Sequence, residues 1–299
     1  MSAVTLLNLL INGLIEGAVI ALPALALTLI MSIARFPQAA TGDIATLGAY
    51  SAVGLQTLAI SAGITTTLSN MAAAALCAAL AGALASVLAW RWIFSRITQA
   101  PMVSSLLAAI GLAFLLRSLI TLAVGHDQRT FQMPLVRAWN FNGVRLLPAD
   151  LVIALTALVV LAAVFAWLRY SRSGRLLRAL ADNADLARLS GIRTDALMWR
   201  LWAIAGALSG LGGVLLGVKS VVMPELGWEL LLPAFAAMIV GGIGSPAGAV
   251  AGALLLGIGQ ELSVQWVGPS YKIVVSFVVL FVVLLVRPAG LFGRAEAVR

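Results

Sequence analysis

The sequence predicts an all-α polytopic membrane protein, and three observations carry that prediction. Hydrophobic residues make up 62% of the 299 positions and charged residues only 10%. The mean hydropathy of +1.07 lies far outside the range of a water-soluble globular domain. The apolar runs are long and continuous, without the alternation of a barrel strand, so helices satisfy the backbone in lipid. A spanning helix needs roughly 20 apolar residues to cross a hydrocarbon core of about 30 Å.

Taken in order, hydrophobic segments fall at 4–33, 42–62, 67–90, 102–124, 148–168, 196–218, 228–243, 246–267 and 271–286. The first has no basic residues before it and is too long for a signal peptide, so it is expected to remain as a spanning helix. Segment 42–62 is rich in small and polar residues, and 228–243 is short and carries Pro233. Such segments dip in without crossing or line a pathway. The expectation is therefore eight or nine hydrophobic helices, with one or two short or re-entrant segments. The connection 125–148 is the sizeable external loop, with Trp139 and Phe141 as interfacial anchors.

Charge asymmetry orients the bundle. Arg35, Arg91, Arg96, the arginines of 169–195, Arg200, Arg287, Arg294 and Arg299 fall on one side, which is then cytoplasmic. Arg129, Arg137, Arg145, Lys219 and Lys272 fall on the other, and Arg117 lies inside a span. The C-terminus is placed in the cytoplasm. The first residue is outside if nine helices cross and inside if eight do.

Composition also excludes. The formal charge of +8 belongs to loops of a membrane protein, with no soluble basic domain to bind nucleic acid. The single Cys77 and single His126 provide neither an internal disulfide nor a metal-binding cluster, so no metal or cofactor is expected. No G-x-x-x-x-G-K-[ST] stretch is present, so ATP hydrolysis must come from another chain. The spans show no cluster of acids or nucleophiles, and a non-catalytic protein is expected.

Against this background the stretch 169–195 is anomalous, for it holds nine charged residues. Ser173 is placed to cap a helix starting near Gly174, and Asp182 or Asn183 to cap a second, which Gly191 ends. Leu186 and Leu189 share a face, with Asp185 and Arg188 spaced to pair beside them. The mixture of signs suits a protein partner better than an anionic lipid surface, which would repel Asp182, Asp185 and Asp195.

Here a resemblance becomes specific. "GRLLRALADNADLARLSGI" (174–192), followed by "GGIGSPAGAVAGALLLG" (241–257), resembles the permease subunits of ABC importers of the branched-chain amino acid (LivH/LivM) type. "NGLIEGAVIALPALALTLI" (12–30), "PQAATGDIATLGAY" (37–50) and "YKIVVSFVVLFVVLLVRPAGLFG" (271–293) match further family stretches in order. The resemblance covers nearly the whole chain and implies one permease domain over 1–299, with 169–195 as a cytoplasmic coupling loop. It implies a coupling helix that inserts into an ATPase cleft, matched here at Arg175, Arg178, Ala184, Leu186, Ala187, Leu189 and Gly191, with Asp182, Asp185 and Arg188 expected to join the contact through their charges. The implied partners are a second permease subunit, two cytoplasmic ABC ATPases and a soluble substrate-binding protein, in a bacterial cytoplasmic membrane. The family often carries Asn-Phe-Ala-His-Gly-[DE] where this chain has Gln38 to Asp43. Cargo classes therefore stay open among branched-chain amino acids, urea, short amides and aromatic carboxylates.

Within the spans, Gly206/Gly210 and Gly244/Gly248/Gly252 recur every four residues and are expected at helix contacts, as are Gly213/Gly217. Gly241 and Gly242 are expected beside a pore, where a broken backbone exposes amides. Glu16, Gln38, Thr41, Gly42 and Asp43 are expected along the passage, because ionisable groups in hydrocarbon must face protein or water. Structural pairing is the alternative for Glu16 and Arg117. A self-sufficient transporter driven by an ion gradient is the rival function.

Overall fold

The structure, a computed structural model, describes residues 3–63, 68–98, 100–132, 138–141 and 144–293. Arg137, Arg294 and Arg299, and the side chains of Phe141 and Arg145, lie outside what is described. Long helices are α1 (Ala3–Ala34), α2 (Thr41–Ser61), α3 (Leu68–Trp92), α4 (Met102–Val124) and α5 (Pro148–Tyr170). Two short helices follow, α6 (Arg172–Asp182) and α7 (Ala184–Leu189). The chain then forms α8 (Thr194–Lys219), α9 (Leu226–Gly241), α10 (Pro246–Val267) and α11 (Lys272–Val286). A small hairpin, β1 (Trp139–Phe141) with β2 (Val144–Leu146), lies in the connection before α5, Trp139 opposite Leu146. Eight of these helices are long and apolar enough to cross a membrane.

Glycine contacts fix the directions of the helices. Gly13 and Gly17 of α1 meet Ile258 and Leu254 of α10 in reverse order, so the two run antiparallel. Glu16 pairs with Lys219, and Pro23 meets Gly212, so α1 also opposes α8. Hence α8 and α10 are parallel, and α9, which joins them, must run back across the bundle despite its 16 residues. Likewise Ala78 and Gly82 of α3 meet Gly210 and Gly206 of α8, making α1 and α3 parallel. The chain therefore returns across the bundle between α1 and α3, but α2 does not begin at the loop end: Gly42 packs on Gly227 at the start of α9, and Asp43 reaches Arg117, seven residues from the end of α4. By the same contacts, α1 begins at the end opposite the 169–195 loop. Pro233 sits inside α9 without interrupting it; its missing N–H leaves one carbonyl in the preceding turn unpaired.

The core is formed mainly by α1, α2, α8, α9 and α10, whereas α4, α5 and α11 expose most of their apolar side chains. Such exposure is ordinary when lipid is the solvent. At the loop end, four buried rings gather. Phe36 stacks on Phe94 at 5.0 Å, Phe94 stacks on Trp202 at 4.9 Å, and Trp90 lies 5.6 Å from Trp202. The chain exits α1 through Arg35, at φ 57, which turns Phe36 inward to join them.

The last described residues close the fold at the same end. The amides of Leu291 and Phe292 donate to the carbonyls of Val240 and Gly241, at 2.8 and 3.0 Å. These carbonyls end α9 and have no partner within their own helix. The Pro-x-Gly-Leu-Phe-Gly ending is thus a cap for α9.

Candidate functional site

The loop between α5 and α8 is a built structure. Ser171, not Ser173, caps α6: its hydroxyl accepts from the Gly174 amide at 2.9 Å. That spacing is the reach of an N-cap side chain, three residues ahead to an unpaired amide. Ser173 is instead buried and bonded by the Arg200 guanidinium, which ties α6 to α8. A Cβ on Gly174 would overlap the backbone of Leu168, so α6 folds tightly back on the end of α5. Leu177 and Leu180 are buried against the bundle and hold α6 down.

Asn183 caps α7, its Oδ1 accepting from the amides of Asp185 and Leu186 at 3.1 and 3.0 Å. Asp182 is the last residue of α6 and does not take that role. Gly191 ends α7 at φ +78, where a Cβ would be strained. The Ile192 amide reaches back to Ala187 and the Gly191 amide to Arg188, at 3.2 and 3.0 Å. Only Ala187 of α7 is buried; Leu186 and Leu189 stand 62% and 85% exposed. Arg175, Arg178, Asp182, Asp185, Arg188 and Gly191 are exposed as well. The Asp185–Arg188 pair is long, 3.9 Å, and too exposed to hold the helix. Two leucines ringed by charges of both signs, on a rigidly capped helix, have no intramolecular task.

The expected passage residues do not gather into one site. Glu16 lies on α1 and pairs with Lys219 of α8 at 2.6 Å. Gln38 and Thr41 are buried at the α1–α2 connection, and neither atom of the Gln38 amide has a hydrogen-bond partner among the described residues. Gly42 packs against Gly227 of α9. Asp43 is bound by Arg117 of α4, whose Nε and Nη2 both donate to Oδ1, at 3.1 and 3.0 Å. The Arg117 guanidinium also lies over the rings of Trp228, at 5.3 Å, and Phe114, at 5.9 Å.

Gly241 and Gly242 depart from the expectation of an open backbone. A Cβ on Gly241 would overlap Gly248, and one on Gly242 would overlap Gly293, so both are committed to close packing. Gly206, Gly210, Gly248 and Gly252 are likewise pressed against neighbouring backbone, as glycines at helix contacts in lipid are. Gly244 is a correction. It lies in the turn before α10, at φ +85, with open space where a Cβ would stand. Its four-residue spacing arises from the turn and not from a helix face. Sequence reasoning missed Gly13, Gly17 and Gly257, which bring α1 and α10 together, although Gly13 and Gly17 carried the same four-residue signal. It also missed Gly82, whose partners are distant in sequence.

Between α2, α3 and α4 lies an apolar cavity of about 990 Å³. Leu47 and Tyr50 of α2 line it, together with Leu116 and Ile120 of α4. Tyr50 is buried, and its hydroxyl has no hydrogen-bond partner among the described residues.

Comparison with known proteins gives consistent matches. A family model described as branched-chain amino acid transport system / permease component matches residues 9–284. The high-affinity branched-chain amino acid transport system permease protein LivH of Escherichia coli K12 is 32% identical, covering 97% of this chain and 96% of LivH. The corresponding protein BraD of Pseudomonas aeruginosa is 30% identical, with 97% and 96% covered. Among solved structures, PsaBC from Streptococcus pneumoniae in complex with a Fab aligns at TM-score 0.50 and 13% identity, over 93% of this chain and 91% of that one. That likeness speaks to the fold.

Proposed function

This chain belongs to the family of branched-chain amino acid transport permease components, and from that premise we propose how it works. It is the passive membrane subunit of an ATP-driven importer, set in a bacterial cytoplasmic membrane with the 169–195 loop and the C-terminus inside. The importer joins two permease subunits, this chain with a copy or a relative, to two ATPase subunits. A soluble binding protein delivers a branched-chain amino acid from outside. The chain extends from 1 to 299 as one permease domain.

One observation carries the mechanical part: α7 is capped at both ends yet presents Leu186 and Leu189 to solvent. Burying the two side chains in an ATPase cleft stabilises docking by about 1.5–3 kcal/mol each. Arg175, Arg178, Asp182, Asp185 and Arg188 set the orientation of docking through complementary charge. ATP-driven closure of the ATPases then pulls on α7. Motion passes through α6 to α5 at the Gly174–Leu168 contact, and to α8 through the Arg200–Ser173 bond. Trp202, two residues beyond Arg200, carries it into the aromatic cluster that closes the loop end of the bundle.

The test is co-purification of the tagged permease with its ATPases. L186S/L189S is expected to lose at least tenfold in ATPase recovery while the permease keeps its melting temperature. Recovery equal to wild type would refute the docking role.

A further inference from the structure

We propose that the Asp43–Arg117 pair, with the Tyr50 cavity beside it, is the point at which this permease contacts its cargo, and that it reads a zwitterionic amino acid by its two charges. The inference rests on the permease reading and adds the site and the chemistry of recognition.

Arg117 lies fifteen residues into the apolar helix α4 and seven from its end, about 11 Å from the far surface. An arginine at that depth commonly snorkels toward the nearest surface. This one does the reverse. Its guanidinium lies over Phe114, one turn back toward the middle of the helix, and reaches across to Asp43 at the start of α2. Its side chain is 19% exposed, between the rings of Phe114 and Trp228, which are themselves 55% and 40% exposed. An intramembrane guanidinium open to its surroundings faces water or protein and not hydrocarbon. The face formed by α4 and the start of α9 therefore borders the passage, which the second permease subunit closes.

The pair is incompletely used. Both hydrogen bonds from Arg117 fall on Asp43 Oδ1, and Arg117 Nη1 has no partner among the described residues. The unpartnered guanidinium N–H offers a donor to a carboxylate, and Asp43, whose side chain is 3% exposed and whose second oxygen takes no bond from that guanidinium, offers an acceptor to an ammonium group that enters the pair. That is the charge pattern of an α-amino acid. Asp43, Leu47 and Tyr50 follow at i, i+4 and i+7 and share one face of α2. Leu47 and Tyr50 lead from the ion pair into the apolar cavity, where the Tyr50 hydroxyl is buried without a partner. An aliphatic side chain fits a cavity of this lining, and the unpartnered hydroxyl supplies a further polar contact.

A purely structural ion pair and a cargo-reading one respond differently to two variants. Arg117→Lys keeps the charge but loses the planar fork, and D43N/R117Q removes both charges together. Replacing a buried ion pair by neutral groups is close to neutral for stability, so a structural pair tolerates the double change. The full importer, reconstituted in vesicles with its ATPases and binding protein, is assayed for ATP-driven uptake of radiolabelled L-leucine. The expectation is that both variants assemble with wild-type melting temperatures, while uptake falls roughly 10- to 100-fold, the loss of one charged hydrogen bond at a desolvated site. Wild-type uptake by either variant overturns the proposal and leaves the permease reading in place. Absence of ATP-driven L-leucine uptake by the wild-type assembly overturns both.

Discussion

Substituting Gly17 by alanine tests the glycine seam between α1 and α10, the most extensive helix contact in the bundle. A Cβ at Gly17 would stand 2.7 Å from the Leu254 Cα and 2.9 Å from the Ala253 carbonyl oxygen. Non-bonded carbons settle at about 3.5–4.0 Å, so the helices must part by about 1 Å. A gap of that size forfeits a quarter to a half of the dispersion energy of each contact along the seam. In lipid no hydrophobic drive compensates, because the tails are as apolar as the helix surface. Overpacking of this kind costs about 1–3 kcal/mol. Gly54→Ala, on α2, is the matched control, since no atom lies within 4 Å of its Cβ position. Alanine there favours the helix by up to about 1 kcal/mol. Thermal unfolding in detergent, followed by loss of the monodisperse size-exclusion peak, reads both. G17A is expected to melt several degrees below wild type, at about 2–4 °C per kcal/mol, and G54A at or above it. If G17A melted with G54A, close backbone approach would not be what holds α1 to α10.

Two further outcomes follow from the polar contacts. Lys219→Met leaves Glu16 unpaired at the end of α8, where the lysine is exposed, and is expected to cost about 1 kcal/mol, whereas E16Q/K219M returns most of it; equal melting of the single and double variants would show that the pair holds nothing. Asn183→Ala removes both cap hydrogen bonds at the start of α7, worth about 1 kcal/mol, and hydrogen exchange of amides 184–189 is expected to quicken about fivefold while the amides of α6 stay unchanged.

How much of the site was legible in the sequence depends on how far apart its parts lie. The caps of α6 and α7 are local, since an N-cap side chain serves amides two or three residues ahead. Asn183 and Gly191 were therefore readable, and Ser173 failed by only two positions, because Ser171 is better spaced to the Gly174 amide. Glu16 and Arg117 announced themselves as charges in apolar runs. Their partners did not: Lys219 is 203 residues from Glu16, and Asp43 is 74 from Arg117. Nothing local in either stretch selects one opposite charge over another. Gly244 misled for the complementary reason, as a repeat of four counts as a helix face only where the chain is a helix.

The sequence by itself determined that the chain is a helical membrane protein, where its apolar segments lie, and which internal loop carries the unusual charge. Those properties follow from the need to satisfy every backbone group inside lipid, which is a demand on each segment alone. Only the tertiary structure decided that the chain returns across the bundle between α1 and α3 and again through α9, because that followed from the pairings of α1, α3 and α10 with one another and with α8. It alone decided that Gly241 and Gly242 pack where a pore was expected, and that an arginine deep in α4 keeps one donor free beside a carboxylate. Direction and partnership are relations between segments, and the solvent that shapes each segment separately does not specify them.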